Sequence, residues 1–302
     1  MKDSALPWRA DVRLTEEDVR LLASSILGSC ERVVPLGEGW DFITYRVNSA
    51  HVLRVPKRAA CEPVLEREQR VLDLLQAADL PVLTPIFTHL ARTDRFPWQV
   101  AIYEFVPGTP LSDVGDQKVR LGVPEQLGGF LARLHAFDPG ERLPDPWDED
   151  EDDDDWQQRE YAAASGAYPA ELGRRIEAYL ASEAPAEPAV PHVLTHADLG
   201  EEHILVDPDS GEVTGVIDWA DAFTGCRSRD YLGLYFAGGR DYAERAFAAA
   251  GVRPTAGEWQ WLAHESIGIG IGHVFYGFRG EQPSIMKDGL EKLPQLLGDI
   301  GL

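Results

Sequence analysis

At Val106-Pro107-Gly108 the sequence changes character, and this break constrains the fold more than any other feature. Before it lie short runs rich in β-branched and aromatic residues, ERVVPL, DFITYRV and HVLRV. They are separated by Gly37-Glu38-Gly39 and Asn48-Ser49-Ala50, which read as turns of an antiparallel meander. Two further strand patterns, near PIFTHLA and WQVAIYEF, end at the break. Thr15 with Asp18 three residues on predicts a helix cap, with a helix over about 15 to 28. A second helix, from Glu62 to about Ala78, sets Val64, Leu65, Val71, Leu72, Leu74 and Leu75 on one broad face. After the break, helical patterns dominate: QLGGFLARLHAF near 126 to 137, ELGRRIEAYLAS near 171 to 182, and three more beyond residue 227. One β-like stretch, from HVLTHADLG to VIDWADA, turns at Pro208-Asp209-Ser210-Gly211 and predicts small strands carrying loops. The expected fold class is α+β, with a small antiparallel-sheet lobe over 1–106 and a mostly helical lobe over 107–302.

A chain of 302 residues buries a sizeable core without disulfides or a structural metal. Its 28 basic and 51 acidic residues give a net charge of −23, so its surface repels phosphate backbones and nucleic acid is excluded as a partner. Cationic small molecules are drawn in by the same field. Cys30, Cys61 and Cys226 are odd in number and widely spaced, which points away from a disulfide framework or zinc site and toward a reducing cytoplasm. The stretch MKDSALPWRADVRLTEED has no apolar run suited to a signal peptide, and no run of bilayer length occurs elsewhere, so neither secretion nor membrane spanning is expected. A monomer is expected. The eight acids from Asp148 to Asp155 read as a solvated surface loop, or as a run bordering a cleft that gathers polycations.

The densest chemistry lies in His196, Asp198, His203 and Asp218, within 23 residues. An HxD on a loop between short strands, another polar ligand five residues on, and a second Asp closing a β-branched run suit metal-assisted phosphoryl transfer. Asp198 can accept a hydroxyl proton and orient the oxygen. Asp218 can hold Mg²⁺, because a hard cation prefers carboxylate oxygen. His196 is expected to brace the loop.

The motifs HADLGEEH, ILVD and VIDWAD resemble the HxDxxxxN and IDxxD pattern of the aminoglycoside phosphotransferase family, antibiotic kinases with a bilobal protein-kinase-like fold. The resemblance covers most of the chain. Where most members carry Asn as a second metal ligand, His203 stands here, as in aminoglycoside 2''-phosphotransferases and macrolide 2'-phosphotransferases. Imidazole is a softer ligand than an amide oxygen. The resemblance assigns Gly37 and Gly39 of GEGWD to a nucleotide-covering turn. It places Arg54 where most kinases have Lys, bound to phosphates and paired with Glu68, or with Glu66 as second choice. It makes Glu104, Phe105 and Val106 the hinge whose backbone meets a purine edge. His135 reads as a packed, hydrogen-bonded core residue, Asp230 as a buried acid that steadies the catalytic loop, and Trp40 as a cover for the nucleotide.

The implied reaction is transfer of the γ-phosphate of ATP or GTP, with Mg²⁺, to a hydroxyl of a cationic antibiotic, which inactivates the drug. For an aminoglycoside acceptor, Asp221, Asp241, Glu244, Glu258, Glu265 and Glu281 supply carboxylates. Against that, the apolar run LGLYFAGG suits a macrolide. Another small-molecule hydroxyl, or a nucleotide-binding pseudokinase, are the remaining readings.

Overall fold

In the computed structural model, the Asp18 N–H donates to Thr15 Oγ1 at 3.2 Å and the Thr15 N–H donates to Asp18 Oδ2 at 3.0 Å. This reciprocal box satisfies two otherwise orphaned donors and starts α1 (Glu16–Leu27) where the spacing predicts it. The structure describes residue 6 and residues 8–146, 155–280 and 282–302. The acids at 148–154 and Glu281 lie outside the described residues.

Five strands follow α1: β1 (Val33–Glu38), β2 (Phe42–Val47), β3 (His51–Pro56), and, after α2 (Glu62–Leu75), β4 (Phe87–Thr93) and β5 (Phe96–Glu104). They form one antiparallel sheet in the order β1-β2-β3-β5-β4. The period-two alternation of a strand sends Leu53, Val55, Val100 and Ile102 into a core shared with Val19 and Leu22 of α1. Ala101 joins Phe42, Cys61 and Leu65 of α2 in a separate cluster. Leu65, Leu72 and Leu75 are buried along α2, each stabilising by roughly 1.5–3 kcal/mol. Glu68 falls on the same stripe, three residues after Leu65 and four before Leu72, so the helical period forces its carboxylate inward.

The remaining elements are β6 (Thr109–Pro110), α3 (Gln117–Ala136), α4 (Trp156–Ala163), α5 (Ala170–Leu180), β7 (His192–Thr195), β8 (Ile204–Val206), β9 (Val213–Val216), β10 (Phe223–Cys226), α6 (Leu232–Ala249), α7 (Ala256–Arg279) and α8 (Pro283–Asp299). By their contacts, residues 1–108 with 214–220 form one compact unit, and 109–213 with 221–302 form the other. Segment 214–220 belongs with the first unit because Leu83 exchanges hydrogen bonds with Thr214 and Val216 at 3.0 and 2.9 Å, so a single cut after residue 106 does not describe the division. α3 begins at Gln117 rather than near 126. Asp116 caps it through the Lys118 N–H at 2.8 Å, and the helix runs through Pro124. In the second unit β7 pairs with β10 and β6 with β8. α6 bends at Gly238-Gly239, where Gly239 takes φ +70°. Among the described residues no helix is long and apolar enough to cross a membrane. All three cysteines are free and buried, and burial, with Asp41 alongside, pushes the Cys61 thiol up to about 11.

Glu258 holds the start of α7 to the segment before α6. It forms a capping box with Thr255 (3.1 and 2.8 Å) and accepts from Arg227 Nε at 3.0 Å and Ser228 Oγ at 3.0 Å. Burial works to raise its pKa, but these donors outweigh burial and hold the carboxyl below its ordinary value. A depressed carboxyl pKa stabilises the fold above the unfolded value of about 4.3 and loses that contribution as pH falls through the folded value. Glu258→Gln is therefore expected to cost about 1.5–3 kcal/mol at neutral pH, with the gap to wild type narrowing below about pH 4 in denaturant titrations.

Candidate active site

The chemistry of the first unit gathers on Arg54. Alternation along β3 turns its side chain to the face opposite Leu53 and Val55, toward α2. It is 5% exposed and donates through Nη1 to both Glu68 carboxylate oxygens, at 2.7 and 2.6 Å. Its Nη2 donates to Asp218 Oδ1 at 2.5 Å. Glu68 is thus the partner, and Glu66 is exposed. Burial disfavours the guanidinium charge, but Asp218 and Glu68 more than offset it and hold Arg54 well above its ordinary value. Burial raises the Glu68 carboxyl, Arg54 pulls it back, and Asp218 repels it, leaving it pushed up to about 7. The Trp219 N–H also donates to Glu68, at 3.2 Å. Asp218 adopts φ +64°, a left-handed conformation rare for a residue with a side chain and one that cores seldom require.

Gly37 lies near the end of β1, paired with Thr44 of β2, and Gly39 lies in the turn between the two strands, where its N–H donates to the Phe42 carbonyl at 2.9 Å. Neither has a positive φ, and an added Cβ would meet nothing closer than 3.8 Å at Gly37 or 3.9 Å at Gly39. The fold itself does not require glycine there. Trp40 is 41% exposed and tilts against Trp8, with ring centroids 4.7 Å apart. At the end of β5, the Phe105 N–H donates to Ala50 O at 2.8 Å, while Arg46 lies 3.8 Å above the Phe105 ring. Of the segment Glu104 to Val106, Phe105 therefore has its amide engaged by the protein.

The catalytic-loop candidates belong to the second unit, just after β7. Ala197 takes φ +69°, and its N–H donates to Asp230 Oδ1 at 2.8 Å. Asp230 is fully buried, and its Oδ2 lies 2.7 Å from His135 Nε2, so the two form the support beneath the loop that the sequence suggests. His196 is fully buried, and its Nδ1 accepts from the Asp198 N–H at 3.3 Å. His203 Nδ1 donates to the Asp198 carbonyl at 2.8 Å and lies 3.4 Å from its Oδ2. This tautomer leaves Nε2 as the ring nitrogen that carries a lone pair. The Asp198 side chain is 52% exposed at the apex of this bracing.

A match to the family description "Phosphotransferase enzyme family" spans residues 32–264, which takes in Arg54, Glu68, Asp198, His203 and Asp218. The chain belongs to the APH phosphotransferase enzyme family. It is a phosphotransferase with the family's kinase-like fold. No curated protein sequence matches it. Among solved structures, it is similar to the GDP and kanamycin complex of APH(2'')-IIIa, at TM-score 0.66 and 20% identity, over 94% of this chain and 98% of that one. It is similar to the GDP complex of wild-type aminoglycoside 2'-phosphotransferase-IIIa, at TM-score 0.67 and 20% identity, over 93% and 99%. It is also similar to the macrolide 2'-phosphotransferase MphH from Brachybacterium faecium, at TM-score 0.59 and 22% identity, over 91% and 98%.

Two expectations about the acceptor need correction. Glu258, read from sequence as an acid for a cationic acceptor, is fully buried in the cap of α7. Glu265 pairs with His264 at 3.1 Å, whereas Asp241 and Glu244 are exposed on α6. The run LGLYF, read as a possible macrolide face, instead packs inward: Leu234, Tyr235 and Phe236 are buried, with Tyr235 bonded to Asp299 and Phe236 against His273.

The motifs do not include the residues that hold the loops: Lys57 and Arg58 at the β1–β2 turn, and Arg120, which pairs with Glu201 of the loop after β7. Two cations directly after a strand, in VPKR, are the legible signal for the first pair. The sequence also gives no hint of Gly233, where a Cβ would stand 2.0 Å from the Leu199 carbonyl. Gly233→Ala must displace either α6 or the loop carrying Asp198. The expected result is a loss of kcat on the order of a hundredfold, with nucleotide affinity retained, read by steady-state kinetics beside a nucleotide titration.

Proposed function

We propose that the chain transfers the γ-phosphate of ATP or GTP to a hydroxyl of an aminoglycoside. The observation that carries this reading is the Arg54 guanidinium shared between Glu68 and Asp218, in a member of a phosphotransferase family. Arg54 supplies the cation that meets the donor phosphates, and Glu68 fixes its orientation. Without side chains, Gly37 at the end of β1 and Gly39 in the turn after it let the backbone approach phosphate closely, which accounts for two glycines that the fold does not need. The Glu104 carbonyl and the Val106 N–H take the purine edge.

Asp218 is a one-third exposed carboxylate suited to magnesium, which binds proteins through one or two carboxylates and takes its other ligands from phosphate and water. Among the described residues no cluster of three or more His, Cys, Asp or Glu is preassembled, as fits an ion that arrives with the nucleotide. When bound, magnesium neutralises charge on the phosphate oxygens. His203 holds Asp198 through Nδ1, and its Nε2 would be the nitrogen that offers a metal ion a lone pair. Asp198 orients the acceptor hydroxyl and takes its proton, while His196 braces the loop.

The net charge of −23 and the exposed Asp241 and Glu244 favour a polycationic acceptor, and the likeness to a kanamycin complex agrees. A macrolide is the second reading, on the likeness to MphH alone. The test is purified protein with Mg²⁺, ATP or GTP, and a panel of aminoglycosides and macrolides, analysed by mass spectrometry. A gain of one phosphate on an aminoglycoside is expected. A gain on macrolides only selects the second reading, and no product on either class refutes both.

A further inference from the structure

One buried cation organises the turn between β1 and β2. Lys57 is 1% exposed, and its ammonium donates to the Gly39 carbonyl at 2.9 Å and to Glu38 Oε1 at 2.8 Å. Its backbone is committed on both sides: the N–H donates to Asp41 O at 2.8 Å, and the carbonyl accepts from the Asp11 N–H at 2.8 Å. Arg58 continues the pattern by donating to the Trp40 carbonyl at 3.1 Å and pairing with Asp41. Removing an ammonium from water costs several kcal/mol, so a lysine in this position must be matched by specific acceptors. The acceptors here are consecutive groups, the side chain of Glu38 at the end of β1 and the carbonyl of Gly39, whose lack of a side chain otherwise leaves the turn conformationally loose.

Peptide planarity makes the consequence directional. A trans peptide sets its C=O and N–H on opposite sides. With the Gly39 carbonyl held on Lys57, the Trp40 N–H points away from Lys57. With the Trp40 carbonyl held on Arg58, the Asp41 N–H points away from Arg58. The Gly39 N–H closes the other side of the turn on the Phe42 carbonyl at 2.9 Å.

Resting on the nucleotide-donor reading above, we infer that Lys57 is a positioning residue for the donor polyphosphate. It touches no phosphate itself. By holding the Gly39 carbonyl and Glu38, it fixes the shape of the turn that covers the phosphates.

The test measures binding of ADP and GDP against adenosine and guanosine by calorimetric titration, in wild type, Lys57→Met, Lys57→Arg and Glu38→Gln. Loss of one charge-assisted hydrogen bond's worth of organisation predicts about tenfold weaker diphosphate binding in Lys57→Met, with nucleoside affinity kept within about twofold. Lys57→Arg, which can still donate to both acceptors, stays within about threefold of wild type for the diphosphates. Glu38 is 40% exposed, so Glu38→Gln tests the same device without a buried substitution, and about two- to fourfold selective weakening is expected. Unchanged diphosphate binding in Lys57→Met overturns the inference, as does an equal fall for nucleosides and diphosphates. Should Lys57→Met fail to fold, unchanged diphosphate binding in Glu38→Gln overturns it. Wild-type protein that binds neither nucleotides nor nucleosides refutes the donor reading instead.

Discussion

Asp198→Ala is expected to abolish phosphoryl transfer while leaving nucleotide affinity nearly unchanged. The side chain is 52% exposed, and the loop that carries it is held by other groups. Those groups are the Asp230 carboxylate on the Ala197 N–H, His203 on the Asp198 carbonyl, and the close approach of Gly233 to Leu199. Removing the carboxylate therefore takes away a proton acceptor without collapsing its platform. Loss of a positioned general base costs about 10²–10⁴-fold in rate. Steady-state kcat beside a nucleotide titration reads both quantities, and an active Asp198→Ala enzyme refutes the assignment of the base.

Asp218→Asn is expected to cost on the order of a thousandfold in kcat, because metal-borne stabilisation of phosphoryl charge amounts to several kcal/mol. Asn tolerates the φ of +64° at this position better than other substitutes, so the backbone is kept. Arg54 keeps Glu68 as its partner, so no buried charge is stranded. The distinguishing signature is magnesium dependence. Wild type gains activity and nucleotide affinity on titration with Mg²⁺, whereas the Asn variant shows little response. A variant with wild-type magnesium dependence contradicts the assignment of Asp218.

Much of this arrangement is legible in the amino-acid sequence because it is local. The Thr15–Asp18 box, the short strands and the inward stripe of α2 follow from spacing, and the stripe carries Glu68 with it. The motif spacing of HADLGEEH and VIDWAD carries the loop candidates in the same way. Legibility ends where a long-range contact decides the role of a side chain. Glu258 has the sequence setting of a surface acid, yet Arg227 and Ser228 bury it. The LGLYF run has the pattern of an open apolar face, yet His273 and Asp299 cover it. The helical pattern reads from about 126, yet the cap at Asp116 starts α3 upstream of it. Lys57 is legible only in part, since two cations directly after a strand mark VPKR but nothing local says that the lysine is buried against the β1–β2 turn.

The most direct measurement follows the label from γ-labelled nucleotide, with Mg²⁺ and an aminoglycoside, in parallel incubations of wild type and Asp198→Ala. Label on an acceptor hydroxyl is expected with wild type and none with the variant, while both bind the nucleotide alike. Label transferred by Asp198→Ala at the wild-type rate, or none transferred to any acceptor by a wild type that binds nucleotide tightly, would contradict it.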